Sequence, residues 1–464
     1  MSCHSLRLGI KPALFLVLLL LQLHTVTAEV PDLQVAVFST EITPPLNEPV
    51  GMGFVPIPRT IEHPLLAKGV VFKQNNRHYV LCALDWMEVH NESYDALRKT
   101  LAEAAHTTSA CVALHCLHQH TAPAIDSTSQ KLYLKPEDPR RIASLKYEQR
   151  VTKLLHTAVR KSLKSMQPIT GLGISQCLVE RVASNRRLKQ ADGSIRARLS
   201  STKDLELQNA PQGLIDPWMR TLSLFNQNQC LLQIHYYATH PQSFYGDARI
   251  SYDTVGIARE RLQKKNNVFQ LYFTACGGNI AMGKYNNGTR EARQELSERL
   301  FQAMECSLTQ IERLPAAPLQ WQTTKIQFTP RRAAEFQNAP QQSILQNQQS
   351  PLSQKIKSAM IVTWNERLKQ GDQIELSCLT LGKVRLLHLP GEPFVEFQLA
   401  AQKTHPELFL LTAGYGDCAM GYIGTETSYS DRGGYEQTWS FIEPGEVLLQ
   451  AAIEQLLAGN GCPH

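Results

Sequence analysis

Short apolar runs that alternate with helical patterns along almost the whole chain are the feature that most constrains this sequence. Between residues 33 and 457, runs of β-branched and apolar residues are followed by stretches in which apolar residues recur every three or four positions. This interleaving is typical of an α/β fold, and it contains no internal repeat and no clean linker. We therefore predict a single large α/β domain over residues 29–464, with mixed β-sheets flanked by helices.

The composition agrees with a globular domain and excludes several other classes. The 464 residues are 43% hydrophobic and 19% charged, which is enough apolar material for a core and excludes disorder as the overall state. The formal net charge is only +6, and the Lys and Arg residues are scattered rather than clustered. Nucleic-acid binding by a basic surface is therefore excluded, as are collagen-like, coiled-coil and polytopic membrane proteins.

Individual elements follow from the same patterns. Residues 69–72 and 79–84 predict a hairpin with Asn75 and Asn76 in its turn. Helical spacing predicts long helices over 142–166 and 352–369. The intervening residues 333–354 are rich in Gln, Asn and Pro, and they predict a surface excursion.

The N-terminal residues 1–28 have the pattern of a secretory signal. Arg7 and Lys11 form a basic segment, residues 13–23 are an apolar run, and Ala28 ends a sequence of small or branched residues before Glu29. The apolar run is shorter than the roughly 20 residues that a spanning helix needs, which favours cleavage over the alternative of an uncleaved membrane anchor. We expect cleavage at about residue 28 and a secreted or periplasmic mature protein.

Cysteines are too sparse for a disulfide scaffold. Ten remain after residue 28, and the sequence contains no Cys-x-x-Cys pair of the kind found in zinc ribbons. Cys82, Cys111 and Cys230 lie in apolar runs, where a buried thiol acts as a small hydrophobe. An exported location permits disulfides, but the sequence leaves their connectivity open.

Two histidines directly follow the predicted strand 111–117. His118 and His120 are separated by one residue, so on an extended chain both imidazoles point to the same side. Pro123 helps to end the strand, which places the pair at its carboxyl edge, where α/β sheets tend to bind ligands. Alone, His-x-His is weak, because two hydrogen-bonded histidines without a ligand have the same pattern.

Two further strands lead into residues of the same type. An apolar run ends at His240, which is followed by Pro241, and a later one ends at Pro390-Gly391-Glu392. A strand-end histidine without a ligand and an acid at a helix N-terminus are the alternatives. A glycine- and tyrosine-rich stretch over 413–424 follows a further strand. Two histidines and a carboxylate with an open position are a common catalytic zinc set, and we predict a site at the carboxyl ends of the strands.

Together these motifs resemble the neutral/alkaline non-lysosomal ceramidase family, specifically its N-terminal catalytic domain, with this chain as a shorter, divergent member. The likeness spans nearly the whole mature chain in order, and the most specific motif is similar to the family's His-Thr-His-Ser-Gly-Pro. The motifs that carry it are His118-Gln119-His120-Thr121-Ala122-Pro123, Asn185-Arg186, Pro390-Gly391-Glu392, Tyr422-Ile423-Gly424-Thr425 and Gly434-Tyr435-Glu436.

The resemblance implies an exported, zinc-dependent hydrolase of a linear amide, which acts on a small amide or an N-acyl lipid. We also expect peripheral contact with a membrane surface. The implied Zn²⁺ ligands are His118, His240, Glu392 and Tyr422. The implied catalytic residues are His120, which would handle a proton, and Arg186 and Tyr435, which would face the scissile carbonyl. Zn²⁺ supplies a Lewis acid and lowers the pKa of water, so the implied chemistry is consistent with these residue types.

Departures from the family keep the function open. Ala281 stands where the ceramidases have a serine, and Pro393 replaces the aromatic residue that usually follows the glutamate. An alanine cannot donate, accept or attack, so a mechanism that needs that hydroxyl is closed, whereas an activated water remains available. A zinc esterase or lactonase acting on a small substrate, and a non-catalytic metal- or ligand-binding relative, remain alternatives.

Two other predictions concern the surroundings of the site. Asp85, at another strand end, either orients a ligating imidazole or caps the following helix. Residues 245–253 either shape the pocket or form an ordinary polar loop that leads into a helix from Thr254.

Overall fold

The computed structural model describes Met1 and residues 32–46, 50–243 and 247–458. The predicted signal segment lies outside these residues, except for Met1, and so does Cys462. Within the described part, no helix is long and apolar enough to cross a membrane. The described residues from Asp32 onward pack as one unit.

Strands and helices interleave along the chain, as the sequence predicts. The strands are β1 Leu33–Glu41, β2 Thr60–Ile61, β3 Leu66–Gln74, β4 Arg77–Leu84, β5 Glu88–Val89, β6 Val112–Cys116, β7 Ala124–Ile125, β8 Gln167–Pro168, β9 Gly171–Leu178, β10 Ser184–Asn185, β11 Arg187–Lys189, β12 Ile195–Ala197, β13 Trp218–Asn226, β14 Gln229–Tyr237, β15 Arg249–Ile250, β16 Phe269–Thr274, β17 Ile280–Ala281, β18 Glu312–Pro315, β19 Leu319–Ile326, β20 Ile374–Leu381, β21 Val384–His388, β22 Glu392–Pro393, β23 Phe409–Ala413 and β24 Tyr422–Ile423. The helices are α1 Asn91–Ala104, α2 Ser127–Tyr133, α3 Pro139–Ser162, α4 Leu205–Asn209, α5 Asp253–Asn266, α6 Arg290–Thr309, α7 Asn338–Gln346, α8 Leu352–Lys369, α9 Val395–Thr404, α10 Glu426–Ser430 and α11 Glu446–Leu457.

Three mixed sheets form the framework, which confirms the predicted fold class. Their strand orders are β6-β4-β3-β1-β8, β16-β14-β13-β9-β18 and β19-β20-β21-β23. Each sheet contains one parallel pair, namely β4 with β6, β14 with β16, and β21 with β23. The strands of a parallel pair end at the same edge of their sheet, so the segments that follow these strands are neighbours.

The core lies on both faces of the first sheet. Val70 and Phe72 of β3 pack into a cluster that also contains apolar residues of the other two sheets, whereas Val71 packs into a second cluster with α1 and α3. This alternation is the period of two that a strand imposes on its side chains. A third cluster joins α8, α9 and α11 to the third sheet.

Local sequence signals set several element boundaries. Asn75 and Asn76 have φ angles of 50° and 61° in the two-residue turn of the predicted hairpin, a conformation that Asn tolerates well. The predicted long helix is α3, which begins at Pro139 because Asp138 accepts a hydrogen bond from the backbone of Arg140.

Two features depart from or add to the predictions. The Gln- and Asn-rich excursion contains the helix α7, which is held against α8 by a hydrogen bond of 2.8 Å from Asn338 to Glu366. Cys177 and Cys306 form a disulfide that joins β9 to α6, a pairing that the sequence left open. Cys82 is buried, but Cys111 and Cys230 are only half-buried, so the expectation of buried thiols holds for Cys82 alone.

Candidate active site

The segments that follow the three parallel pairs converge on one cluster of polar side chains. His118 follows β6, His240 follows β14, and Glu392 follows β21. Glu392 and Tyr422 are direct partners in the short parallel ladder between β22 and β24. The fold therefore brings the four predicted metal ligands together from positions that are more than 300 residues apart in the chain.

Both imidazoles approach the same carboxylate oxygen. The Nε2 atom of His118 lies 3.1 Å from Oε2 of Glu392, and the Nε2 atom of His240 lies 3.0 Å from it. The rings of the two histidines are nearly perpendicular, with centroids 4.6 Å apart. All three side chains are almost completely shielded from solvent.

The hydrogen bonds of the imidazoles fix which nitrogen faces Glu392. Nδ1 of His240 lies 2.7 Å from the carbonyl oxygen of Gly277, and Nδ1 of His118 lies 3.1 Å from that of Met87. A carbonyl oxygen only accepts, so each Nδ1 carries a proton and, in the neutral ring, Nε2 presents a lone pair.

This arrangement fits a metal cation. Oε2 of Glu392 is buried and makes no well-aligned hydrogen bond with any described residue, although both Nε2 atoms are close. Two imidazole lone pairs and a carboxylate oxygen converge here. Together these groups carry one negative charge, so a divalent cation between them is favoured electrostatically. His118, His120 and His240 also offer ligand atoms that lie within 4.8 Å of one another.

The pKa shifts follow from burial and from the mutual contacts. Burial opposes ionisation of Glu392, but His118 and His240 outweigh it and hold the pKa of Glu392 well below its usual range. Burial, together with the charge of Arg186, lowers the pKa of His240 to about 4. For His118 burial also acts downward, yet Glu392 and Glu88 outweigh it and raise the pKa. At neutral pH Glu392 is therefore ionised and His240 is neutral.

Tyr422 and Arg186 contact the same nitrogen of His240 that faces Glu392. The Tyr422 hydroxyl is 3.3 Å from Nε2 of His240, and Arg186 donates to that hydroxyl at 3.1 Å and to the carbonyl of Gly278 at the same distance. Arg186 is positioned by its backbone N–H, which donates to the carbonyl of Asn279 beside the ladder of β10 with β17. Arg186 is only 3% exposed, and its Nη1 atom also lies 3.2 Å from Nε2 of His240.

His120 and Tyr435 face the open side of the cluster. Nε2 of His120 is 3.4 Å from Nε2 of His118. The guanidinium carbon of Arg186 lies over the Tyr435 ring, 5.1 Å from the centroid of that ring. Burial and the neighbouring imidazoles hold the pKa of His120 well below its usual range, so its ring is neutral at neutral pH.

A cavity of about 480 Å³ opens onto these groups. Five of the predicted site residues line it: His118, His120, Glu392, Tyr422 and Tyr435. Apolar side chains complete the wall, among them Met52, Phe54 and Trp439. His240 and Arg186 lie behind this lining, where they contact the cluster without facing the space.

Sequence reasoning missed two neighbours of His118. Glu88, which lines the cavity, has its Oε1 atom 3.6 Å from Nδ1 of His118. Tyr415 stacks on the same imidazole, with ring centroids 4.4 Å apart. The backbone φ angles of Tyr415 and His118 are 61° and 71°, and such positive values are unusual for residues other than glycine. The sequence signal for Glu88 is an acid close to a strand end, and Tyr415 belongs to the glycine- and tyrosine-rich stretch over 413–424.

The two predictions about the surroundings are resolved differently. Asp85 does not orient an imidazole, and it does not cap a helix. Both of its oxygens accept hydrogen bonds of 2.8 Å from the buried Arg259. Of residues 247–253, none lines the cavity, and Asp253 begins α5, as expected of a loop that leads into a helix. Residues 245 and 246 lie outside the described residues.

Comparison with known proteins gives structural relatives only. No family model and no curated sequence matches the chain. A neutral ceramidase from Pseudomonas aeruginosa superposes with a TM-score of 0.64 at 16% identity, over 92% of this chain and 74% of that one. A ceramidase complexed with C2 superposes with a TM-score of 0.65 at the same identity and coverage. The resemblance to the neutral ceramidases is thus confirmed in the fold.

Proposed function

We propose that this protein is a zinc-dependent hydrolase of a linear amide, with an N-acyl lipid as its substrate class. The observation that carries the proposal is the approach of two imidazole nitrogens to one buried oxygen of Glu392, at 3.1 and 3.0 Å. This His₂-carboxylate set is the one found in catalytic zinc sites that keep an open position. The ceramidase fold supports an amide as the substrate class.

The proposed ligands are His118, His240, Glu392 and Tyr422. Bound Zn²⁺ supplies a Lewis acid that polarises a carbonyl and lowers the pKa of water. The carbonyl oxygens of Met87 and Gly277 keep the Nδ1 protons in place, so the lone pairs of His118 and His240 stay directed at the ion.

His120 is proposed to move the proton. It lines the cavity, is half-buried and lies next to His118, and in this proposal it takes a proton from the attacking water and returns it to the leaving amine. Because Ala281 carries no hydroxyl, water is the nucleophile in this proposal. Ala281 pairs with Ser184 in the short ladder of β10 with β17 and does not line the cavity.

Arg186 and Tyr435 are proposed to stabilise the developing oxyanion. Tyr435 lines the cavity and can reach a substrate oxygen directly. Arg186 acts through Tyr422, whose hydroxyl it polarises with a donated hydrogen bond, and through His240, whose Nε2 atom lies 3.2 Å from the same Nη1. This refines the prediction that Arg186 itself faces the scissile carbonyl.

The proposal is tested by hydrolysis assays on purified protein. Matched N-acyl amides and esters are offered before and after treatment with a chelator, and again after Zn²⁺ is restored. We expect amide cleavage that disappears on chelation and returns with zinc. Cleavage of esters alone would support the esterase alternative, and stoichiometric zinc without turnover of any acyl substrate would support the non-catalytic one.

We also propose that the protein is exported and that it contacts a membrane surface through apolar side chains near the site. Phe54 is 40% exposed beside the cavity, and Ile57 in the same loop is 59% exposed. Mass spectrometry of the secreted chain tests export, because cleavage at about residue 28 leaves Glu29 as the first residue. Co-sedimentation with phosphatidylcholine vesicles tests the contact, with Phe54→Ser as the weakened variant.

A further inference from the structure

The turn that carries Tyr435 is held by the hairpin of β11 and β12. The backbone N–H of Ile195 in this hairpin donates to the carbonyl oxygen of Arg432 at 2.8 Å, and Ile195 also forms an isolated parallel bridge with Gly433. Gly433 and Gly434 have φ angles of 81° and 96°, a region that favours glycine. The turn therefore rests directly on the backbone of the hairpin.

One side chain of the hairpin, Arg187, forms two ion pairs with the same turn. Its Nη2 atom lies 2.7 Å from Oδ2 of Asp431, and its Nη1 atom lies 2.7 Å from Oε2 of Glu436. A Cβ atom at Gly434 would lie 2.7 Å from Nη1, so the glycine leaves room for the guanidinium. The side chains of Arg187 and Glu436 are only 10% and 2% exposed, so solvent screens this ion pair little.

The Glu436 carboxylate connects Arg187 to Tyr435 and acts on Arg186. Its Oε2 atom also accepts a hydrogen bond of 3.2 Å from the backbone N–H of Tyr435. Burial lowers the pKa of Arg186, but Tyr422 and then Glu436 are among the groups that outweigh burial and raise it. The Tyr435 ring lies against the Arg186 guanidinium. Tyr435 is therefore held between Arg186, which its ring contacts, and Glu436, which its backbone contacts.

Loss of Arg187 would leave the Glu436 carboxylate buried without its cation. An unpaired charge is costly to bury, so this carboxylate is expected to turn toward water. The backbone N–H of Tyr435 would then lose its acceptor, and the Tyr435 ring would leave its place against Arg186. The ion pair between Arg187 and Glu436 thus fixes the position of Tyr435.

We infer that Arg187 and Glu436 are positioning residues of the proposed active site, which hold Tyr435 at the cavity. Tyr435 lines that cavity, whereas neither Arg187 nor Glu436 does, so both act through Tyr435 and not on a substrate. The expected effect on turnover rests on the proposed function. The expected effect on the position of the Tyr435 ring does not.

The substitution Arg187→Gln tests the effect on turnover in a cycle with Tyr435→Phe. We expect Arg187→Gln alone to lower kcat by about 10²-fold with little change in KM, because a displaced Tyr435 no longer donates to the developing oxyanion. In the Tyr435→Phe background it is expected to have almost no further effect, since the hydroxyl is already absent. A loss of kcat that persists undiminished in that background would overturn the inference.

The matched control is Arg196→Gln. Arg196 lies on β12 of the same hairpin, but it pairs with Asp204 and Glu206 and not with the turn. We expect this variant to keep the kcat of the unmodified protein. An equal loss of kcat in Arg196→Gln and Arg187→Gln would mean that any damage to the hairpin impairs the site, and it would overturn the specific role of Arg187.

Two further variants keep the test informative if Arg187→Gln folds poorly. Arg187→Lys keeps the positive charge but loses the planar fork that binds both carboxylates, so we expect it to recover only part of the kcat. Arg187→Gln combined with Glu436→Gln leaves no unpaired charge buried, and we expect it to keep the low kcat. Thermal unfolding establishes that each variant is folded. Full kcat in the combined variant but not in Arg187→Gln would assign the loss to the unpaired charge and overturn the inference.

A measurement on Tyr435 itself separates this inference from the proposed function. A fluorotyrosine introduced at this position alone reports the surroundings of the ring by fluorine NMR, without turnover. We expect one signal in the unmodified protein and in Arg196→Gln, and a shifted or split signal in Arg187→Gln and in the combined variant. A signal that both Arg187 variants leave unchanged would overturn the inference whether or not the protein is an amidase. A displaced signal with full amide turnover in Arg187→Gln would support it and contradict the proposed role of Tyr435 in the reaction.

Discussion

Arg186 donates a hydrogen bond of 3.1 Å to the Tyr422 hydroxyl, which in turn lies 3.3 Å from Nε2 of His240. The same Nη1 atom of Arg186 also lies 3.2 Å from Nε2 of His240, so a buried cation contacts two proposed zinc ligands. Because the guanidinium is almost fully buried and its charge cannot be removed, this contact is a fixed source of positive potential behind the candidate site.

Removal of the Tyr422 hydroxyl is expected to impair turnover more than metal binding. In Tyr422→Phe the two imidazoles and Glu392 remain as stronger ligands, whereas the hydroxyl that Arg186 polarises is lost. We expect kcat to fall by about 10²-fold while zinc content, measured by atomic emission, stays stoichiometric. An unchanged kcat would show that the hydroxyl has no role in the reaction.

Arg186 and Tyr422 are expected to act as a unit. In a double-mutant cycle with Arg186→Gln and Tyr422→Phe, each single change removes the contact between the two side chains, while Arg186→Gln also removes the contact with His240. Their effects on kcat/KM are therefore not additive, and the coupling energy is about 0.5–3 kcal/mol. Arg186→Lys serves as the control that keeps the charge but loses the planar donor set. Additive effects would mean that Arg186 does not act through Tyr422.

Asp85 is expected to contribute to stability and not to the metal site. Asp85→Ala leaves the guanidinium of Arg259 buried without its bidentate partner, which costs about 3–5 kcal/mol of unfolding free energy in urea denaturation. Zinc affinity of the folded variant is expected to match that of the unmodified protein. A weakened zinc affinity would instead favour the role in orienting an imidazole that the sequence suggested.

His90 is expected to make stability depend on pH. Burial lowers the pKa of its imidazole, but Glu88 and Asp126 outweigh burial and raise it from 6.5 to about 8. A raised pKa in the folded state stabilises the protein below pH 6.5, and the stabilisation is lost as the pH rises through about 8. The shift corresponds to about 2 kcal/mol.

The measurement is the unfolding free energy at pH 6 and at pH 9 for the unmodified protein and for His90→Gln. The unmodified protein is expected to lose about 2 kcal/mol more than the variant over this range. If both lose the same amount, another group is responsible for the pH dependence.

The sequence predicted the fold class and the main elements because the patterns that define them are local. The hairpin of β3 and β4 followed from alternation and from Asn75-Asn76, and α8 has the bounds that its apolar spacing predicted. The ends of the strands also indicated where polar side chains collect, because parallel strands that end together place the following residues side by side.

The remaining features depend on contacts between distant segments, and no local pattern encodes these. Asp85 and Arg259 are 174 residues apart, so nothing near Asp85 in the sequence shows that its partner is an arginine instead of an imidazole. Glu88 follows a strand end like many ordinary acids, and its approach to His118 depends on the pairing of β4 with β6. The contacts of Arg186 with Tyr422 and His240 likewise depend on the ladder of β10 with β17.

The central claim is that His118, His240 and Glu392 hold one zinc ion. The most direct measurement is the metal content of the purified protein and of the variants His118→Ala and His240→Ala. His405→Ala is the control, because His405 pairs with Glu454 and contacts none of the proposed ligands. We predict one zinc per chain in the unmodified protein and in His405→Ala, and none in the other two variants. Full zinc content in His118→Ala or His240→Ala, or no zinc in the unmodified protein after growth and dialysis with zinc, would contradict the claim.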